Sequence, residues 1–209
     1  KVSVSSAVAP FAWGSVKINL IDTPGHVDFT YEVSRSLAAC EGAVLVVDAT
    51  QGVEAQTVSN ATLAMNANLD IVPAINKIDL PSAHPDEVKT EIEDDLAIPA
   101  DDAVCVSGKT GEGIHDLLES IVFLISPPKG DANAPLKALI LDSYFDEYRG
   151  VVATVRIFDG SIKKGDTLRM MQAKGDFLVD GVGVKRPAET PVDALTVGEV
   201  GYVVTGLKD

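Results

Sequence analysis

Three short motifs place acidic, basic and glycine residues directly after apolar runs of the chain. They are Asp22-Thr23-Pro24-Gly25 followed by His26, Asn76-Lys77-Ile78-Asp79, and Ser107-Gly108-Lys109. The runs that precede them, at residues 16–21, 71–75 and 104–106, are predicted to be strands. Ligands of open α/β sheets bind beyond the carboxyl ends of the strands, so the motifs lie where a ligand site is expected.

The first motif, D-x-x-G, has the residue types needed to bind Mg²⁺ and a terminal phosphate. The Asp22 carboxylate can reach a Mg²⁺ ion through its bound water, and the Gly25 N–H can meet a phosphate oxygen. Glycine suits that position because a backbone without Cβ can approach the phosphate closely and move when it leaves. A second D-x-x-G, at residues 180–183, lies in the β-rich part of the chain and is interpreted as a turn.

The second and third motifs have the residue types that recognise a guanine base. The Asp79 carboxylate can accept hydrogen bonds from N1–H and N2–H₂ of guanine, a pair of donors that adenine lacks. The Lys77 stem can lie over the purine face, and Asn76 can brace the neighbouring loops. In the third motif, a backbone N–H can donate to guanine O6 while the Lys109 stem covers the base.

The elements that position these motifs alternate between strand and helix in the first part of the chain. Strands are predicted at residues 16–21, 43–47, 71–75 and 104–106, and helices at 31–39, 54–66, 86–96 and 114–124. This alternation predicts a doubly wound parallel sheet. After a proline-rich linker, β-branched runs at 136–141, 151–158, 167–171 and 199–204 alternate with glycine turns, which predicts a small all-β barrel.

Composition restricts the classes of partner and of compartment. The formal net charge is −14, and residues 1–128 hold 19 of the 31 acidic but only 6 of the 17 basic residues. An RNA-facing surface is therefore expected in residues 129–209. No apolar run reaches the roughly 20 residues that a membrane-spanning helix needs. Cys40 and Cys105 form no C-x-x-C pair and are expected to be reduced thiols.

Longer runs around the motifs resemble the LepA (elongation factor 4) family of translational GTPases. Residues 22–29 are similar to the third GTPase motif of that class. The runs that resemble LepA itself are residues 31–43, 51–57, 76–81 and 135–140. Residues 2–11 are more similar to elongation factor G, and in that alignment Ser3 stands near the switch-I hydroxyl that binds Mg²⁺, with Lys1 in place of a glycine.

The resemblance implies a P-loop-type GTPase domain, an N-terminally truncated parallel sheet with helices on both faces, followed by a small all-β barrel. Residues 1–128 would be the partial GTP-binding domain, 129–135 a linker and 136–209 a C-terminally truncated translation-factor barrel. GTP or GDP and Mg²⁺ are the implied cofactors. The implied nucleotide-binding residues are Asp22, Gly25, Asn76, Lys77, Asp79, Ser107, Gly108 and Lys109, with Asp22 also serving the metal. His26 is the implied catalytic residue, which orients the attacking water.

The resemblance also implies partners and a location for the whole protein. The ribosome, through its RNA and its proteins, is the expected partner, and no stable DNA binding is expected. A monomer in the cytoplasm is expected, with peripheral association with the inner membrane as a further implication of the family.

Two alternatives stay open beside a ribosome-dependent GTPase. The family's phosphate loop is expected upstream of residue 1, and Gly108-Lys109-Thr110 does not replace it because that pattern needs glycine where Ala103 stands. The first alternative is that the chain as given is a non-catalytic folded fragment with a partial guanine pocket. The isolated chain is then expected to be inactive. The second is that the parent protein is similar to elongation factor G.

Overall fold

A computed structural model of the chain describes residues 7–23, 30–172, 174–186 and 188–207. These residues divide into two compact units, which we call the α/β unit (residues 23–127) and the β unit (residues 7–22 with 128–207). Residues 7–22 are thus grouped with the second unit, whereas the sequence analysis assigns them to the first domain.

Residues 7–22 form an antiparallel hairpin of β1 (Ala7–Trp13) and β2 (Val16–Asp22). Gly14 and Ser15 make the turn, and Gly14 has φ of 57°, a left-handed conformation that glycine adopts without steric cost. The predicted strand at 16–21 is confirmed, but among the described strands β2 pairs with β1 and not with the parallel sheet. Two antiparallel strands such as β1 and β2 can be joined by a tight turn, whereas two parallel strands must be joined by a crossover of about a dozen residues.

The α/β unit contains the predicted alternation of helices and strands, with small differences at their ends. In chain order its elements are α1 (Thr30–Leu37), β3 (Gly42–Asp48), α2 (Ala55–Asn66), β4 (Asp70–Asn76), α3 (Pro85–Leu96), β5 (Val104–Val106) and α4 (Ile114–Leu124). Pro85 opens α3, at a position where its missing N–H would have no helical partner. None of these described helices is long and apolar enough to cross a membrane.

The three strands of the α/β unit form a parallel sheet in the order β3-β4-β5. On one face, Val47 and Ile75 of the sheet belong to a buried apolar cluster with Val88 and Ile92 of α3. Gly42 lies against Ile125, directly after α4, and the alternation of side chains along β3 places Gly42 and Val47 on opposite faces. Helical segments therefore pack on both faces of the sheet, as predicted.

The β unit consists of antiparallel strands, which confirms the all-β prediction. Its remaining strands are β6 (Lys137–Asp146), β7 (Gly150–Asp159), β8 (Ser161–Lys163), β9 (Thr167–Arg169), β10 (Asp176–Leu178), β11 (Gly181–Arg186), β12 (Ala188–Pro191), β13 (Ala194–Thr196) and β14 (Val200–Val204). Five of them form one sheet in the order β12-β11-β14-β7-β6, while β13 pairs with β8 and β10 with β9. Apolar side chains of β7, β8, β11, β13 and β14 share one buried cluster.

The second D-x-x-G motif lies in this unit. Asp180 stands in the connection between β10 and β11, but residues 181–183 begin β11 and pair with β14. The interpretation of this motif as a turn is therefore wrong beyond Asp180. Its two glycines and its valine form hydrogen-bonded strand pairs with β14, and this tertiary pairing outweighs the local preference of glycine for turns.

Polar contacts connect residues 7–22 to the rest of the β unit. Lys17 of β2 forms an ion pair with Glu199, and Asn19 donates a hydrogen bond from Nδ2 to the Gly198 carbonyl over 3.2 Å. Burial raises the pKa of Glu199, but hydrogen bonds from Lys17 and from the Thr196 N–H outweigh burial and lower that pKa overall. The carboxylate of Glu199 is thus held ionised between β2 and the turn before β14.

A cluster of charged side chains joins the β6–β7 hairpin to β12. Arg149 donates to Asp146 Oδ2 over 3.0 Å and to Glu189 Oε2 over 2.5 Å, and the Tyr144 hydroxyl donates to Glu189 Oε1 over 2.5 Å. Burial raises the pKa of Glu189, but the hydrogen bonds from Tyr144 and Arg149 lower it overall. The pKa of Asp146 is lowered by the backbone N–H groups of Arg149 and Tyr148 and by the Arg149 side chain.

This cluster predicts that the β unit loses stability in acid. Both carboxyl groups have a lower pKa in the folded state, so their contribution is present above the unfolded values of about 4 and is lost as pH falls through the folded values. Glu189→Gln should reduce the dependence of the free energy of unfolding on pH below about 5. Trp13, the single tryptophan, lies in β1, so its fluorescence reports unfolding of this unit.

The control is Glu147→Gln, which removes an exposed carboxylate from the turn of the same hairpin. Its pH dependence should match that of the unaltered chain. If the Glu189→Gln profile were also unchanged, the cluster would contribute nothing to acid sensitivity.

Candidate nucleotide-binding site

A pocket of about 290 Å³ opens beyond the carboxyl ends of β4 and β5. It is lined by Asn76, Lys77, Asp79, Leu80, Gly108 and Lys109. All of these except Leu80 are binding residues predicted from the sequence, so the structure brings the second and third motifs together. The volume is just below the usual range for small-molecule pockets, about 300–1,000 Å³, and suits a base rather than a whole nucleotide.

Asn76, the last residue of β4, joins the two loops that line the pocket. Its Oδ1 accepts a hydrogen bond from the Lys77 N–H over 2.8 Å and another from the Gly108 N–H over 3.0 Å. One side-chain oxygen thus fixes the start of its own loop and the middle of the loop after β5. This contact agrees with the bracing role expected for Asn76.

Lys77 follows in an uncommon backbone conformation. Its φ is 70°, in the left-handed region that residues other than glycine occupy rarely. Its ammonium group forms an ion pair with Asp48, the last residue of β3, and its side chain is 50% exposed. Both the backbone and the tip of this side chain are therefore constrained at the pocket wall, and such local strain is most common at functional sites.

Asp79 is held by Ser107, a fully buried residue after β5. The Ser107 hydroxyl donates to Asp79 Oδ1 over 2.7 Å and accepts from the Thr110 N–H over 3.1 Å. The Asp79 side chain is 14% exposed, and Lys109 Nζ lies 3.8 Å from its Oδ2. A carboxylate has about four acceptor sites, so Ser107 orients the group and leaves it capacity for a ligand.

The backbone of the third motif is engaged with the protein itself. The Ser107 N–H donates to the Glu112 carbonyl over 2.9 Å, and the Gly108 N–H donates to Asn76 as described. These bonds shape the loop around the pocket. Donation from a backbone N–H of this loop to guanine O6 stays a prediction.

The first motif is only partly described. Asp22 is the last residue of β2 and is exposed, within the residues that group with the β unit. Gly25 and His26 lie outside the described residues, as does Ser3. Within the described ranges, no three carboxyl, imidazole or thiol groups come together as metal ligands. The roles of Asp22, Gly25 and His26 stay predictions.

Sequence analysis missed three residues of this site. Asp48 contacts Lys77, Thr110 contacts Ser107, and Leu80 lines the pocket. A signal for Asp48 was present, because it follows the apolar run 43–47 as the predicted motifs follow theirs. Leu80 and Thr110 directly follow the second and third motifs, but neither residue type by itself signals a ligand site.

Comparison with known families agrees with this geometry. The family model of the elongation factor Tu GTP-binding domain matches residues 1–127, which is more than half of the chain. The chain belongs to this family. The model of elongation factor Tu domain 2 matches residues 150–209, so the two matches together span the α/β elements and most of the β elements of this family member.

Individual relatives carry the name elongation factor 4, which confirms the resemblance drawn from the sequence. The chain is 60% identical over 192 residues to elongation factor 4 of Clostridioides difficile strain 630, covering 92% of this chain and 32% of the relative. It is 57% identical over 191 residues to elongation factor 4 of Staphylococcus aureus strain JH1, covering 91% of this chain and 32% of the relative. The chain spans about a third of the length of these relatives.

The buried Ser107–Asp79 contact predicts a stability loss on removal of the hydroxyl. Ser107→Ala leaves Asp79 Oδ1 and the Thr110 N–H without this partner, and each unmade bond costs roughly 1–3 kcal/mol unless water replaces it. The free energy of unfolding should fall by about that amount. Circular dichroism at the helical minimum follows this unit, because all described helices lie in it.

The matched control is Ser82→Ala, at an exposed position in the loop after Asp79. It should unfold like the unaltered chain. Equal stability of the two variants would show that the Ser107 hydroxyl does not support the loop.

Proposed function

We propose that the chain is the guanine-nucleotide-binding core of an elongation factor 4-like, ribosome-dependent translation factor whose whole protein hydrolyses GTP. The observation that carries the proposal is the Asp79 carboxylate, oriented by Ser107 in the pocket that Asn76, Lys77, Gly108 and Lys109 line. Membership of the GTP-binding domain family supports the same ligand.

The chemistry of the pocket favours guanine over adenine. An ionised carboxylate accepts hydrogen bonds and donates none, and guanine offers N1–H and N2–H₂ side by side. Adenine has a hydrogen-bond acceptor at N1. This atom would face the negative oxygen of Asp79, and two acceptors form no hydrogen bond with each other. The aliphatic stems of Lys77 and Lys109 provide apolar surface that can lie on the two faces of a flat base.

The phosphate and metal roles rest on the family resemblance. In this proposal residues 1–128 are the partial GTP-binding domain, 129–135 a linker and 136–209 the barrel. Asp22 would serve a Mg²⁺ ion through water, and Gly25 would contact the terminal phosphate. His26 would orient the attacking water, since phosphoryl transfer depends mainly on positioning and charge stabilisation.

The proposal extends to the setting in which the whole protein works. Its partner is the ribosome, and the names of the relatives support a role in elongation. We further propose a monomer in the cytoplasm that binds no DNA stably and associates peripherally with the inner membrane. The membrane association rests on family resemblance alone.

Asp79→Asn tests the base specificity. In the full-length protein this change should weaken GTP binding by about one to two orders of magnitude, because charge-assisted hydrogen bonds contribute roughly 1.5–3 kcal/mol. Xanthine carries a carbonyl where guanine has its amino group, and the asparagine amide can donate to it. Binding of XTP should therefore improve, as measured by competition between GTP and XTP.

Asp102→Asn, a change of equal charge at an exposed position before β5, is the control and should leave both affinities unchanged. Unaltered GTP affinity in Asp79→Asn would remove Asp79 from the base site and refute the proposed pocket.

His26→Ala tests the catalytic assignment. Ribosome-stimulated GTP hydrolysis by the full-length protein should fall by about a hundredfold or more, the scale of a lost proton-transfer or water-orienting group. Nucleotide affinity should hardly change, since the imidazole is assigned to the water and not to the bound phosphates. Weaker GTP and GDP binding with normal turnover at saturation would show that the assignment is wrong.

A further inference from the structure

A carboxylate outside the three predicted motifs contacts the pocket wall. Asp48 ends β3, opposite Asn76 of β4 in the parallel ladder, and its carboxylate pairs with the ammonium group of Lys77. The Asp48 side chain is only 15% exposed, whereas that of Lys77 is 50% exposed. The partner that fixes the lysine is thus anchored in the sheet, while the lysine itself remains at the surface of the pocket.

Asp48 is in turn oriented by its own loop. Its Oδ1 accepts hydrogen bonds from the Thr50 N–H over 2.8 Å and from the Thr50 hydroxyl over 2.7 Å. These bonds leave Oδ2 as the atom that faces Lys77. The carboxylate therefore has one oxygen committed to the loop after β3 and the other committed to the lysine.

Lys77 is fixed at both of its ends as a result. Its backbone N–H donates to Asn76 Oδ1, and its left-handed φ sets the direction in which the side chain leaves the loop. The ion pair with Asp48 then fixes the position of the tip. A free lysine side chain has rotamer entropy, part of which must be lost when the side chain covers a ligand.

We infer that Asp48 is a positioning residue of the base pocket, which holds the stem of Lys77 in place to cover one face of the bound base. This inference rests on the proposed guanine-nucleotide function. Asp48 touches no ligand atom and acts through Lys77, by ordering the lysine before the nucleotide arrives.

A single substitution of Asp48 can remove the ion pair with Lys77 while keeping the hydrogen bonds to Thr50. Asp48→Asn keeps an oxygen that accepts from Thr50 and replaces the oxygen facing Lys77 by an amide NH₂, which repels the ammonium group. Because the Lys77 end of the ion pair is half exposed to solvent, which weakens the pair, the affinity of the full-length protein for GDP should fall only about two- to fivefold. Asp95→Asn, an equal change of charge on the exposed face of α3, should leave it unchanged.

A double-mutant cycle separates positioning from a general structural role. Lys77→Met keeps an apolar stem and removes the ammonium group, so Asp48 has nothing to hold in that background. Asp48→Asn should then cause no further loss of GDP affinity, measured by calorimetry. The same loss in both backgrounds, or no loss in either, would overturn the inference.

A second measurement needs no nucleotide. Burial raises the pKa of Asp48, but hydrogen bonds from Lys77 and Thr50 and the charge of Lys77 lower it overall. Lys77→Met should therefore raise the pKa of Asp48, followed by carbon NMR of the carboxyl group. An unchanged titration would mean that the ion pair is absent in solution, and the inference would fall.

These results distinguish the inference from the function on which it rests. Failure of the unaltered full-length protein to bind GDP would refute the proposed function, and the positioning role with it. Normal GDP binding that is insensitive to Asp48→Asn would refute the positioning role alone.

Discussion

The parallel register of β3, β4 and β5 is the constraint on which the site depends. Asp48 lies opposite Asn76, and Asn76 lies opposite Val106, so the three strands end at one level. The loops that follow begin side by side, although they are far apart in the chain. A shift of one residue in this register would turn every side chain to the other face of the sheet. The buried apolar cluster against α3 resists such a shift.

The polar groups at this edge are connected to each other before any ligand binds. Asn76 links two loops, Ser107 links Asp79 to the Thr110 N–H, and Asp48 links Lys77 to Thr50. In the partly buried setting such bonds reinforce one another and fix the rotamers of the groups that face the pocket. A pocket ordered in this way loses little conformational entropy when it binds a rigid base.

The sequence by itself determined most of the secondary structure and the composition of the pocket. The elements around Asn76, Asp79 and Ser107 were predicted from apolar runs of strand length, from helical periodicity and from a proline at a helix start. These signals depend only on residues that are neighbours in the chain. The placement of polar motifs directly after strands predicted that the second and third would meet. The roles of these two motifs in nucleotide binding are functional proposals that the fold alone does not decide. The same holds for the roles of Asp22, Gly25 and His26.

Only the tertiary structure decided the partners of individual groups. The sequence predicts β2 as a strand, but not that it pairs with β1 and contacts Glu199 of the β unit through Lys17. The pairing of Asp48 with Lys77 is likewise a contact across two neighbouring strands. Local propensity and motif spacing contain no information on such distances. They are set by sheet order, register and packing, which depend on the whole of each folded unit at once.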